Sequence, residues 1–124
     1  MKRYKKLSLQ QQVARMKAIV MKDADARGAI IREDGTMCAL GGLAHYGAGI
    51  SKAALRRWTQ SGGAIGEAFK YAQRAFPILT IVGAWPLTIY GVNDVHDNIA
   101  RRREALCRLF DQMLDKALAK AKAT

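Results

Sequence analysis

The C-terminal part of the chain constrains the fold most. Ile99, Leu106, Phe110, Met113 and Ala117 recur at intervals of seven, four, three and four residues, which sets them on one face of an α-helix. Leu109 and Leu114 broaden that face, and Arg101, Arg102, Arg103 and Arg108 are assigned to the exposed side. The helix is expected to begin around residues 93–97 and to run to about Lys120. A stripe of this length needs partners to cover it. The expectation is one domain over residues 1–124, with a basic tail at 1–7 and a fraying Ala/Lys tail at 118–124.

The partners are read from local signals. Ser8 with Gln11 forms a capping box, and Leu9, Val13, Met16 and Val20 continue as an apolar stripe that ends near residues 23–27, ahead of Gly28. Residues 28–38 pair Ile30-Ile31 with Met37-Cys38 across Asp34-Gly35, which predicts a tight hairpin lying on the helices. Cys38 to Tyr46 predicts a buried helix whose glycines admit a close neighbour. Ser51 caps a helix through Thr59, with Leu55 and Trp58 inward, and Ala64 to Phe76 forms another that Pro77 stops. Ile78–Val82 and Leu87–Val92 are read as extended, a second short strand pair. The expected class is therefore α+β, mainly helical, with four to five helices and a small β-hairpin.

Lys and Arg number 21 against 10 acidic residues, a formal charge of +11. Such an excess attracts polyanions and speeds encounter with them, without specifying which one. The candidate binding residues are Arg56 and Arg57 on the third predicted helix and Arg101, Arg102, Arg103 and Arg108 on the last. Trp58 or Tyr4 would provide a stacking platform if these groups shared a face. The partner expected is nucleic acid, or an acidic or nucleoprotein surface. No apolar run reaches membrane-spanning length, because Phe76 to Val92 is interrupted by Pro77, Thr80, Gly83, Pro86, Thr88 and Gly91. No signal core follows the charged N-terminus, so a cytoplasmic protein without a membrane partner is expected.

The chemical alternatives are sparse. The two cysteines, Cys38 and Cys107, are too few for a disulfide framework. Cys38 at a helix start would be the nucleophile of a hydrolase or transferase, with His96 as base and Asp94 to orient it; His45 is a further base. Against this, Cys38 stands among Met37, Ala39 and Leu40 and suits a buried apolar position. No Cys-x-x-Cys or close His pair exists, so no metal or cofactor is expected. The cluster Asn93-Asp94-Val95-His96-Asp97-Asn98 is read as capping the last helix, with a polar site facing the Cys38 helix as the other reading. Ser61-Gly62-Gly63-Ala64-Ile65-Gly66 places glycines ahead of a helix and is read as a joint rather than a phosphate cradle.

Residues 28–44, with Cys38-Ala39-Leu40-Gly41-Gly42-Leu43, and Asn93-Asp94 ahead of a helix resemble a set of small uncharacterised bacterial and phage proteins. That set shares a Cys-x-Leu-Gly-Gly/Ala-Leu segment and a downstream Asn-Asp. The resemblance implies a mobile-element setting and brings no activity with it. The function expected is a non-enzymatic, stoichiometric binder of nucleic acid or a nucleoprotein complex, such as an inhibitor of host defence. A Cys38-dependent enzyme and a structural assembly protein are the alternatives.

Overall fold

Two faces of the long closing helix are covered by earlier parts of the chain, and this arrangement organises the computed structural model, which describes residues 6–123. In chain order the helices are α1 (Leu9–Lys22), α2 (Ala39–Gly42), a π-helical turn (Leu43–Gly47), α3 (Lys52–Ser61), α4 (Ala64–Ala75), α5 (Ile78–Ile81), α6 (Pro86–Val95) and α7 (Ile99–Ala123). The α1 helix lies along α7, and α6 and α5 cover α7 on another side. The short α2 and its π-turn sit centrally, against α1, α4 and α6, while α3 packs on α4. Leu106, Phe110, Met113 and Ala117 of α7 enter one core with Val13, Met16 and Val20 of α1 and Leu40 and Leu43. Basic residues Lys2, Arg3 and Lys5 of the expected tail lie outside the described residues.

Local chemistry explains the helix ends. Ser8 Oγ accepts the Gln11 amide at 3.1 Å and Gln11 Oε1 accepts the Ser8 amide at 2.9 Å, the reciprocal box expected from the sequence. Ser51 Oγ accepts the Ala54 amide, starting α3, and Gly62 at φ +86° ends it in the left-handed conformation that glycine adopts without strain. The buried Gln12 side chain spans two elements, donating to the Leu7 carbonyl and accepting the Ile78 amide at 2.8 Å. Lys116 and Lys120 of α7 donate to the carbonyls of Val82 and Ile81, satisfying the end of α5 with cations.

The α+β expectation is corrected: the described residues are all-helical, with no strands and no sheet. Residues 28–38 do turn back on themselves, but only one isolated antiparallel bridge, Ile31 with Met37, forms. Two causes are visible. Ile30 and Ile31 are both buried, so the segment lacks the alternation that a half-exposed strand needs. A side chain also takes an amide that the ladder would use: Asp34 Oδ1 accepts from Thr36, whereas the amides of Met37 and Ala39, which face away from the opposite segment, bond to Asp23 Oδ1 and Asn93 Oδ1. The Thr36 hydroxyl and amide together hold the Asp34 carboxyl below its ordinary pKa.

The second strand pair is corrected as well. Ile78–Ile81 is the single turn α5, and residues 87–92 lie inside α6. Their β-branched content is overridden by position. Pro86 occupies the first turn of α6, where its fixed φ favours a helix, and Thr88 Oγ1 accepts the Trp85 amide just before it. The closing helix starts at Ile99, later than expected. Asn98 Oδ1 accepts the Arg101 amide as its cap, so Asn93 and Asp94 belong to α6.

Candidate functional site

Asn93 is fully buried and joins three segments. Its Oδ1 accepts the Ala39 amide at 2.9 Å, at the start of α2. Its Nδ2 donates to the Ala26 carbonyl at 2.9 Å and to Asp94 Oδ1 at 3.1 Å. Asp94 Oδ1 also accepts the Gly28 amide at 3.0 Å, and Arg27 Nε donates to the Asp94 carbonyl at 2.6 Å. Gly28 has φ +78°, the backbone state that lets the chain present its amide to Asp94. Asn93-Asp94 therefore does face the Cys38 helix, but as a structural clasp.

Cys38 caps α2, its Sγ accepting the Gly41 amide at 3.4 Å, and it has no exposed surface. Burial pushes its thiol up to about 12, and the carboxylates of Asp94 and Asp23 add to the shift, so the thiol stays protonated at neutral pH. A four-residue helix offers little dipole to oppose this. His96 ends α6, where its carbonyl accepts from Arg102 at 2.8 Å. His45 uses Nδ1 on the Ile50 carbonyl at 2.6 Å and stands edge-on to Tyr46. Cys38 and Asp94 are thus built into the scaffold by their side chains, and His96 by its backbone carbonyl. Among the described residues no group of three His, Cys, Asp or Glu side chains gathers to hold a metal ion.

The arginines expected to bind divide into distinct environments. Arg102 is only 2% exposed and cannot serve as a surface cation. Its guanidinium donates to the carbonyls of Ala24 (2.7 Å), His96 (2.8 Å), Asp25 (3.0 Å) and Asp97 (3.4 Å), fastening α7 to the 24–25 segment and to the α6–α7 connection. The sequence held the signal: Arg102 is four residues before Leu106, in register with the apolar stripe. Arg103 pairs with Asp25 at 2.8 Å and Arg108 with Glu104 at 2.9 Å, whereas Arg101 is exposed.

Arg56 and Arg57 are exposed on α3. A Cβ at Gly35 would lie 3.3 Å from Lys52 Nζ and 3.9 Å from Arg56 Nη2, so these cations lean over the 32–36 turn. The aromatic partner of this helix was not identified from the sequence. Trp58 stacks on Tyr71 of α4, with ring centroids 5.5 Å apart and planes 3° from parallel. Arg74 lies 4.9 Å and Lys70 Nζ 5.8 Å from the Tyr71 ring centroid. The α3–α4 pair thus combines a stacked aromatic couple with Arg56, Arg57, Lys70 and Arg74. The available signal was Tyr71-x-x-Arg74 on the polar side of a helix opposite Trp58, which becomes visible only once α3 and α4 are paired.

No family model, no curated protein and no solved structure matches the chain. Among the described residues, no helix is long and apolar enough to cross a membrane.

Proposed function

We propose that the protein is a non-enzymatic binder of nucleic acid, alone or within a nucleoprotein complex, and that the α3–α4 face makes the contact. The observation that carries this reading is the Trp58–Tyr71 stack flanked by Lys70 and Arg74, on the helix pair that also exposes Arg56 and Arg57. Guanidinium and ammonium groups supply the phosphate attraction, and aromatic rings add contact with unpaired bases. The net charge of +11 supports it by favouring encounter. Stoichiometric action, as in inhibition of host defence, suits a mobile-element setting. Fluorescence anisotropy with labelled single-stranded DNA and RNA across a salt series tests the reading. Submicromolar binding at low salt supports it, and its absence with both polymers overturns it.

A protein partner is favoured by a separate observation. Trp85 (75%), Leu87 (66%) and Val95 (72%) are exposed on and just before α6, and Leu87, Gly91 and Val95 share one side of that helix. This suits attachment to an assembly. Light scattering with size-exclusion chromatography tests self-association, and a monomer at all concentrations argues against the homomeric version.

A further inference from the structure

An open groove of about 230 Å³ lies between α7 and the turn that joins α5 to α6. Val82, Ala84, Leu109 and Met113 line it with apolar groups, Thr88 bounds it at α6, and exposed Lys116 stands at its edge. Its volume is below the about 300 Å³ at which small-molecule sites begin, but it accepts one large apolar side chain of a partner. The ridge beside it is apolar too. Leu87 is exposed in the first turn of α6, Val95 at its end, and Trp85 just ahead of it. Gly91 lies between Leu87 and Val95 on the same side, and a Cβ there would meet nothing within 4 Å. Leu87 to Val95 extends over about 12 Å, the length of two turns of a second helix laid alongside.

Charge separates the possible occupants. Among the described residues, Lys116 is the one charged group lining the groove, and no carboxylate does. Lys116 Nζ donates to the Val82 carbonyl at 3.2 Å and Lys120 Nζ to that of Ile81 at 2.9 Å, which fixes both ammonium groups beside the α5–α6 turn. Neither forms an ion pair among the described residues. The acids of α7 are placed elsewhere. Glu104 is held by Arg108 and Asp111 by Lys17, while Asp115 is about 100° round the helix from Lys116 and outside the groove lining. Asp94, the acid of α6, accepts the Gly28 amide. A second copy of the chain would bring the same two lysines and the same net charge of +11. A bilayer surface would cover the Trp85–Leu87 ridge and leave the groove empty. A helix whose apolar stripe is bordered by carboxylates fills the groove, covers the ridge and answers the lysines.

We propose that the α6–α7 groove docks an acidic amphipathic helix of another protein, with one large apolar side chain against Leu109 and Met113 and carboxylates on Lys116 and Lys120. This rests on the protein-partner reading of the α6 face and adds to it the form and charge of the partner.

The test titrates the ¹⁵N-labelled full chain with three synthetic helical peptides. They share one stripe of leucine and phenylalanine and carry glutamate, glutamine or lysine at the remaining positions. The glutamate peptide is expected to bind at least about tenfold more tightly than the glutamine peptide, shifting the amides of Gly83, Ala84, Thr88, Leu109 and Lys116. In Lys116→Gln/Lys120→Gln that preference disappears. Arg101→Gln/Lys122→Gln, which removes equal charge from exposed positions elsewhere on α7, keeps it. Leu87→Ser/Val95→Ser, at exposed positions outside the core, weakens the glutamate peptide at least about tenfold. A preference for glutamate that survives Lys116→Gln/Lys120→Gln overturns the inference. Equal binding of all three peptides at the α6 face also overturns it, and leaves the protein-partner reading standing; binding of none overturns both. Capture by phosphatidylglycerol vesicles that Trp85→Ser abolishes, with no peptide bound, overturns it in favour of a lipid surface.

Discussion

The Asn93 side-chain carbonyl accepts the backbone amide of Ala39 at 2.9 Å, across a sequence separation of 54 residues and inside the core. The same side chain reaches the Ala26 carbonyl, so one buried amide fastens α6, α2 and the 24–28 segment. We predict that Asn93→Ala lowers stability by about 1–3 kcal/mol, because both backbone groups lose their partner away from water. Asn93→Asp is expected to be worse. Its carboxylate cannot donate to Ala26, and it faces Asp94. Urea unfolding monitored by circular dichroism, with the midpoint falling at constant slope, checks both.

Arg102 and Arg101 are neighbours with opposite roles. Removing the Arg102 guanidinium by Arg102→Met strands several buried carbonyls, and a loss of at least about 3 kcal/mol is expected. Arg101→Met, on the exposed side, is expected to stay within about 0.5 kcal/mol of the parent. Equal stability of the two variants would contradict the structural role of Arg102.

The Cys38 thiol has its pKa raised from 9.0 to about 12 in the folded protein. The folded state therefore holds this proton where the unfolded state has lost it. The stability from keeping Cys38 neutral is complete below pH 9, and it declines as pH rises from about 9 towards 12. We predict an alkaline fall in melting temperature over that window, diminished in Cys38→Ala relative to that variant's own neutral-pH value. Alkylation of Cys38 at pH 8 should proceed only at the rate of unfolding, whereas half-buried Cys107 reacts sooner.

Close approach depends on two glycines. A Cβ on Gly41 would stand 2.5 Å from the Ile30 carbonyl oxygen, and one on Gly47 would enter the Phe76 ring. Alanine at either position is expected to cost about 1–3 kcal/mol through forced displacement of the core. Gly66→Ala, with open space around it on α4, is expected to stabilise by up to about 1 kcal/mol. Thermal melts of the three variants check the order.

What could be read from the sequence was decided by local chemistry. The Ser8–Gln11 box, the Ser51 cap, the stop at Pro77 and the stripe of α7 are each specified by residues close in sequence. The hairpin stays a single bridge because Ile30 and Ile31 are both buried and Asp34 takes the Thr36 amide that would have extended the ladder. The Ile78–Val82 and Leu87–Val92 segments have strand-like composition but turn helical on packing, and Pro86 was the overlooked local cue. Arg56 and Arg57 are legible in the sequence as exposed cations, but Tyr71, Lys70 and Arg74 come beside Trp58 only through the α3–α4 pairing. Arg102 stands in a run of three arginines that reads as a solvated face, yet its helical position four residues before Leu106 sets it on the buried stripe.

Binding of a labelled single-stranded oligonucleotide as a function of salt, in the parent and in Arg56→Gln/Arg57→Gln/Arg74→Gln, tests the central claim most directly. The parent should bind at submicromolar concentration at low salt and weaken steadily as salt rises. The triple variant should bind at least about tenfold more weakly with a shallower salt slope, while an Arg101→Gln/Arg108→Gln control changes little. A triple variant that binds like the parent, or a parent that does not bind at all, would contradict the account.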